Sequence, residues 1–92
     1  MEFDQIQIYK QKFLEECQKM ANGLTSIKIT NKQIGCCFNE LKNQEGSTIL
    51  EHLTQDGLIE PKHKDHFLDK IIIKSFVLTL KGLSQKSNSN ND

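Results

Sequence analysis

From Phe3 to Leu24 the apolar residues Ile6, Tyr9, Phe13, Cys17, Met20 and Leu24 recur every three or four positions, with Lys10, Lys12, Glu15, Glu16 and Lys19 falling between them. A stripe of that period lies along one side of an α-helix, and such a helix is stable only when something else covers the stripe. The rest of the chain must therefore fold back onto its own beginning. Asn22-Gly23 supplies the stop, because asparagine and glycine accept the left-handed backbone that ends helices.

Beyond Leu24 the chain breaks into short elements. Thr25-Ser26-Ile27-Lys28-Ile29-Thr30 alternates and is β-branched, which predicts a short strand. Thr30 or Asn31 can cap a second helix ending near Asn43, with Ile34, Cys37, Phe38 and Leu41 on one face and Lys32, Gln33, Asn39 and Glu40 on the other. Asn43-Gln44-Glu45-Gly46 reads as a turn, Ser47 or Thr48 as the cap of a third helix with Ile49, Leu50 and Leu53 inward, and Asp56-Gly57 as its close. Leu58 to Glu60 reads as a strand, Lys62-His63-Lys64-Asp65-His66 as a polar loop, and Ile71 to Thr79 as one or two further strands. Leu68, Ile72, Ser75, Phe76, Thr79 and Leu83 also keep helical spacing, so a fourth helix is the competing assignment. Residues 1–83 are expected to form one domain, and the Ser/Asn-rich residues 84–92 a disordered tail.

Composition narrows the functions open to the chain. Its 92 residues leave no room for a second domain, and no apolar run approaches the ~18 residues that cross a bilayer. The start Met-Glu-Phe-Asp-Gln lacks the basic opening and apolar core of a secretory signal, so the expected location is intracellular: the nucleus in a eukaryote, the cytoplasm otherwise. Cys17, Cys36 and Cys37 are an odd set with two neighbours that would pair only under strain, which favours reduced thiols. Twelve acidic residues balance twelve basic ones, and every basic one is lysine. Without arginine the chain lacks the planar fork that reads guanine edges and grips phosphates in pairs.

Four stretches carry a resemblance. Ile29-Thr30-Asn31-Lys32-Gln33-Ile34, Phe38-Asn39-Glu40-Leu41 and Ile49-Leu50-Glu51-His52-Leu53-Thr54-Gln55-Asp56-Gly57-Leu58-Ile59 resemble a winged helix-turn-helix domain, whose third helix runs through a Leu-x-x-x-Gly-Leu-Ile-type sequence into the wing. Phe76-Val77-Leu78-Thr79-Leu80-Lys81-Gly82 is similar to the closing strand of many members. Within the superfamily, Phe38 to Gln44 and Asp65-His66-Phe67 are similar to the protein-binding winged-helix domain at the C-terminus of the middle subunit of replication protein A and its telomeric relatives. Gln44 to Leu53 is short for that narrower family's third helix and preceding turn. The resemblance implies an α+β winged helix of three helices with a small antiparallel sheet and a wing around residues 62–69; the alternative fold is a four-helix bundle. Winged helices bind DNA in many families and proteins in others, so fold alone leaves function open.

Such a fold would place the candidate site on its third helix and wing. The exposed face of the third helix offers Ser47, Thr48, Glu51, His52, Gln55 and Asp56, two carboxylates and no base, with Lys62 and Lys64 on the wing and Lys32 and Lys42 nearby. Phosphate contacts normally recruit Lys or Arg, so this face suits a protein partner, such as a basic amphipathic peptide on Glu51, Asp56 and Glu60, better than DNA. The strand region from Ile71 to Leu80, with Ile73 and Val77 on one side or Phe76 on the other, forms a candidate apolar interface. The reading is a non-catalytic interaction module of a complex that handles DNA or RNA, with a protein partner, no membrane and no cofactor. The alternative is a small DNA-binding transcription regulator that is a homodimer through its first helix. Cys36, Cys37, His52, His63 and His66 are of zinc-ligand type, yet adjacent cysteines present poorly to one tetrahedral ion, and no metal is expected. Cys37 reads as a small core residue. Cys36 with His52 is a nucleophile and base by residue type alone, and no enzyme activity is expected.

Overall fold

A computed structural model of the chain describes residues 2–85. The element order is α1 (Phe3–Ala21), β1 (Ile29–Thr30), α2 (Asn31–Gly35), α3 (Asn43–Gln55), β2 (Ile59–Phe67), β3 (Lys70–Leu78) and α4 (Leu80–Ser84). It is a small α+β domain of four helices and a three-stranded antiparallel sheet in the order β1-β3-β2. The expected tail falls on residues 84–92. Ser84 closes α4, and 86–92 lie outside the described residues.

Helix α1 ends where the sequence says it should, with Asn22 at φ 51° and Gly23 at φ 82°. Its stripe is buried through Ile6, Phe13, Leu14, Cys17 and Ala21. Thr30 caps α2: its hydroxyl accepts the Gln33 N–H at 3.0 Å while the Gln33 side chain accepts the Thr30 N–H at 2.9 Å.

Helix α2 is shorter than its apolar spacing implies. It stops at Gly35, and tight turns carry the chain on, with the Phe38 N–H bonded to the Gly35 carbonyl and the Leu41 N–H to that of Phe38. Those turns still bring Phe38 into the core, stacked on Phe13 at 4.6 Å between ring centroids. Cys37, expected inside, is exposed, because the helical face that would have turned it inward ends two residues earlier.

Helix α3 starts earlier than expected. The Lys42 N–H donates to the Glu45 side chain at 2.8 Å, so Asn43 to Gly46 form its first turn rather than a connecting loop. Ser47 and Thr48 therefore sit inside the helix rather than at its cap, and the Thr48 hydroxyl donates to the Gln44 carbonyl at 3.0 Å. Ile49, Leu50 and Leu53 are fully buried, and Gly57 at φ 76° turns the chain into β2.

Residues 59–78 form a long hairpin, which rules out the fourth helix proposed over 67–83; the only helix there is the short α4. The segment 62–66, expected as a loop, is the outer half of β2. Its register contains two compensating shifts. From Pro61↔Phe76 to His63↔Ser75, β2 advances two residues while β3 advances one; from there to Lys64↔Ile73, β3 advances two while β2 advances one. Each extra residue flips the side-chain alternation of its own strand, which is how Ile73, Phe76 and Leu78 all reach the same core.

The hairpin turns on Leu68-Asp69. Leu68 is at φ 58° and 86% exposed, so its side chain gains little from packing while its backbone sits where glycine is favoured. Leu68→Gly is expected to be neutral to stabilising, by up to about 1 kcal/mol, whereas an exposed glycine substitution within a strand destabilises. A urea titration that showed a clear loss would contradict this account of the turn.

Candidate functional site

An open groove of about 1020 Å³ lies between α3 and the hairpin. One wall is the exposed face of α3, through Gln44, Ser47, Thr48 and Glu51. The floor is the β1–α2 junction, Thr30 to Lys32, and the opposite wall is the outer part of β3 with Lys70, Ile71, Ile72 and Lys74. The groove is where it is because β1 is only two residues long: the chain turns into α2 at Asn31 and leaves the outer half of β3 uncovered on that side.

Its charges are mixed. Lys32, Lys70 and Lys74 stand against Glu51 and Asp69. The Lys74 ammonium also lies 3.9 Å from a carboxylate oxygen of Asp65 on the neighbouring strand, a distance at which screening leaves little attraction. Ile71 is 45% exposed, so the apolar part of the groove is accessible to a ligand.

The structure divides the residues the sequence singled out. Ser47, Thr48 and Glu51 line the groove, and Lys32 joins them from α2. His52 and Gln55 lie on α3 outside the lining. Asp56, at the far end of α3, forms an ion pair with the largely buried Lys10 ammonium of α1, while its backbone carbonyl accepts the Lys81 ammonium at 2.8 Å. It ties α1, α3 and α4 together, and the acidic patch of Glu51, Asp56 and Glu60 is not one surface of this groove. Lys62 and Lys64 are on β2, across β3 from the groove, and Lys62 is 3.4 Å from Glu60. Ile73, Phe76 and Val77, read as an apolar interface, are 5%, 0% and 7% exposed. The chain buries them itself, and the extra residue in β3 turns Ile73 and Phe76 to the same side.

Of the far wall, Ile71 and Ile72 fall on the strand that the sequence offers as an apolar interface, whereas the flanking Lys70 and Lys74 carry no role there. Lys70-Ile71-Ile72-Ile73-Lys74, an apolar triplet bracketed by lysines, was the available signal. Its meaning depends on knowing that the chain reverses at Leu68-Asp69, where no glycine or asparagine announces a turn.

The cysteines and histidines do not converge: among the described residues no group of three or more His, Cys, Asp or Glu side chains is placed to hold a metal ion. Partial desolvation, with Glu16 beside it at 3.9 Å from Sγ, raises the pKa of the Cys37 thiol, the reverse of what activates a nucleophile. Burial pushes Cys17 up to about 12. Cys36 and Cys37 are exposed and Cys17 is fully buried, so a thiol-specific reagent is expected to modify two thiols in the folded protein and the third only in denaturant. Because the folded pKa of Cys17 lies above the unfolded value of 9.0, its contribution to stability is complete below pH 9 and is lost as pH rises toward 12. Cys17 labelling should accelerate across that window.

No helix among the described residues is long and apolar enough to cross a membrane. No family model, curated protein or solved structure matches the chain.

Proposed function

We propose that this chain is a winged helix acting inside the cell as a non-catalytic interaction module, which seats a segment of a partner protein between α3 and the β2–β3 hairpin. The fold reading is supported by the helix-strand-helix-helix-strand-strand order and by the antiparallel sheet order β1-β3-β2, in which α3 takes the place of the recognition helix and the hairpin that of the wing. The observation that carries the function is the groove, with its open volume, accessible Ile71 and lysines facing a carboxylate-bearing helix. The resemblance in the sequence supports assigning such a module to a complex that handles DNA or RNA.

DNA reading is disfavoured by the same geometry. The exposed face of α3 carries Glu51 and no lysine, and Lys62 and Lys64 lie beyond β3 from the groove. A second reading, a DNA-binding regulator dimeric through α1, draws support from Phe3 and Ile8, which are 70% and 52% exposed on that helix.

One titration separates them. Duplex and single-stranded DNA added at low salt should leave the backbone amide shifts of Ser47, Thr48 and Glu51 in place. Shifts there that disappear steeply with added salt would mean that lysines neutralise phosphates, and the regulator reading would replace this one. A photo-crosslinking residue at Thr48 should then join the chain to a protein that the same residue at Lys64 does not reach.

A further inference from the structure

In an antiparallel strand the N–H and C=O of one residue point to the same side, and successive residues alternate. The Ile73 carbonyl points to the β1 side of β3, since it accepts the side-chain amide of Asn31 at 2.9 Å. Two residues earlier, the N–H and C=O of Ile71 point the same way, while Lys70 and Ile72 turn theirs to β2 across the hairpin. On that side β1 has already ended at Thr30, opposite Ser75, and among the described residues no strand runs beside Ile71. The Asn31 side chain thus caps the last rung of the β1 ladder, and the wall of the groove beyond it is an open strand edge.

We propose that the groove takes its partner as an added β-strand: an extended, acidic segment of another protein that pairs with Ile71 of β3, beyond the rung at Ile73 that Asn31 already caps, and continues the line of β1. This rests on the reading of the groove as a protein-binding site and specifies its mode and the chemistry of its ligand. The length fits, because Lys70 to Lys74 spans roughly 16 Å of strand, enough for about five ligand residues. Main-chain bonds to an open edge supply affinity and alternate side chains supply selectivity. Here the selecting groups are Lys32, Lys70 and Lys74, which outnumber the Glu51 and Asp69 carboxylates of the same lining and so favour an acidic segment, and Ile71 and Ile72, which favour apolar or β-branched residues between the charges.

A second copy of this chain fits less well. Two β3 edges pairing antiparallel about Ile72 would set Lys70 of each directly across from Lys74 of the other, and like charges facing across a ladder destabilise it. An acidic strand reverses the sign of that interaction.

The test is selection of a displayed library of short random peptides on the intact chain. Enriched peptides are then synthesised and their effect on hydrogen exchange of the backbone amides is measured. The expected winners are free of proline at their centre, carry Asp or Glu between β-branched residues, and slow exchange of the Ile71 N–H at least tenfold. Ile71→Pro deletes the groove-facing N–H without touching the ladder to β2 and should abolish binding, while Ile71→Val should retain it. Should Ile71→Pro fail to fold, the paired exchange K70E/K74E decides instead: it is expected to lose the acidic peptides and gain basic ones. Peptides that shift Ser47 and Thr48 but leave the Ile71 amide unprotected would overturn the added strand while leaving the groove a binding site. No enrichment in the groove, or enrichment of basic or helix-forming sequences, would overturn the proposal too, and a failure of the Thr48 crosslink alongside would remove the wider reading with it.

Discussion

Phe76→Ala is expected to destabilise the protein by about 3–5 kcal/mol and to leave it largely unfolded near body temperature. Phe76 is fully buried at the centre of the middle strand, with Ile29 paired to it on one side and Pro61 on the other. It is the position where the sheet, α1 and α3 share one core, so no neighbour can close over the vacancy without moving a strand. At roughly 4–8 °C per kcal/mol for a domain of this size, the thermal midpoint should fall by at least 12 °C or so. The same residue was a candidate contact for another chain on sequence grounds, and the two roles have opposite signatures. An intermolecular contact would lose association and keep its urea midpoint. A core residue loses the midpoint at unchanged m-value, whatever the protein concentration.

That confusion shows which parts of this fold are written locally and which are not. Asn22-Gly23, the Thr30 cap and Asp56-Gly57 each act within a few residues of themselves, and the chain bends where they say it should. The stripe from Ile6 to Cys17 is likewise a local pattern. The span from Ile34 to Leu41 keeps a helical period for another reason: after Gly35, tight turns happen to return Phe38 to the same side, so the spacing is helical and the backbone is not. At Lys42 the first turn of α3 hides as a loop, because its cap comes from Glu45 reaching back rather than from the Ser47 or Thr48 hydroxyl.

The hairpin is the extreme case. Whether Ile73 and Phe76 share a face depends on the extra residue in β3, and that register is a property of its pairing with β2. A strand read alone alternates and assigns them to opposite faces. The site inherits the same division. Ser47, Thr48 and Glu51 could be named because a helix face follows from spacing, whereas Ile71 and Lys74 join them only through a turn at Leu68-Asp69 with no signal of its own. Asp56 shows the converse error: exposure was legible, but its ion pair with Lys10 joins the two ends of the chain's first two thirds and is set by tertiary packing.

Gly82→Ala should destabilise by about 2–3 kcal/mol, against the direction that helix propensity gives. In an exposed helix this exchange gains up to ~1 kcal/mol, because alanine loses less backbone entropy. Gly82 is instead buried in α4 against Leu58, the residue before β2, and a Cβ built there would lie 2.1 Å from the Leu58 carbonyl oxygen and 3.1 Å from a methyl carbon of Leu78. The first contact is with backbone, and that backbone is already held: the Leu58 carbonyl accepts the Thr79 N–H at 3.1 Å. Either the start of β2 moves or α4 lifts away, and the second is cheaper. Lifting α4 breaks the two bonds by which the Gln18 amide holds the Gly82 and Gln85 carbonyls, at 2.8 and 2.6 Å, and exposes the half-buried Leu83. Hydrogen bonds at about 1 kcal/mol each plus part of a leucine give the expected size. The partition can be read directly. If α4 undocks, the Leu83 and Gln85 amides, which bond the Thr79 and Lys81 carbonyls, should exchange quickly in the variant while the amides of β3 remain protected. Uniform acceleration across β3 would mean that β2 had moved instead, and an alanine that stabilised the protein would mean that α4 does not pack on Leu58 at all.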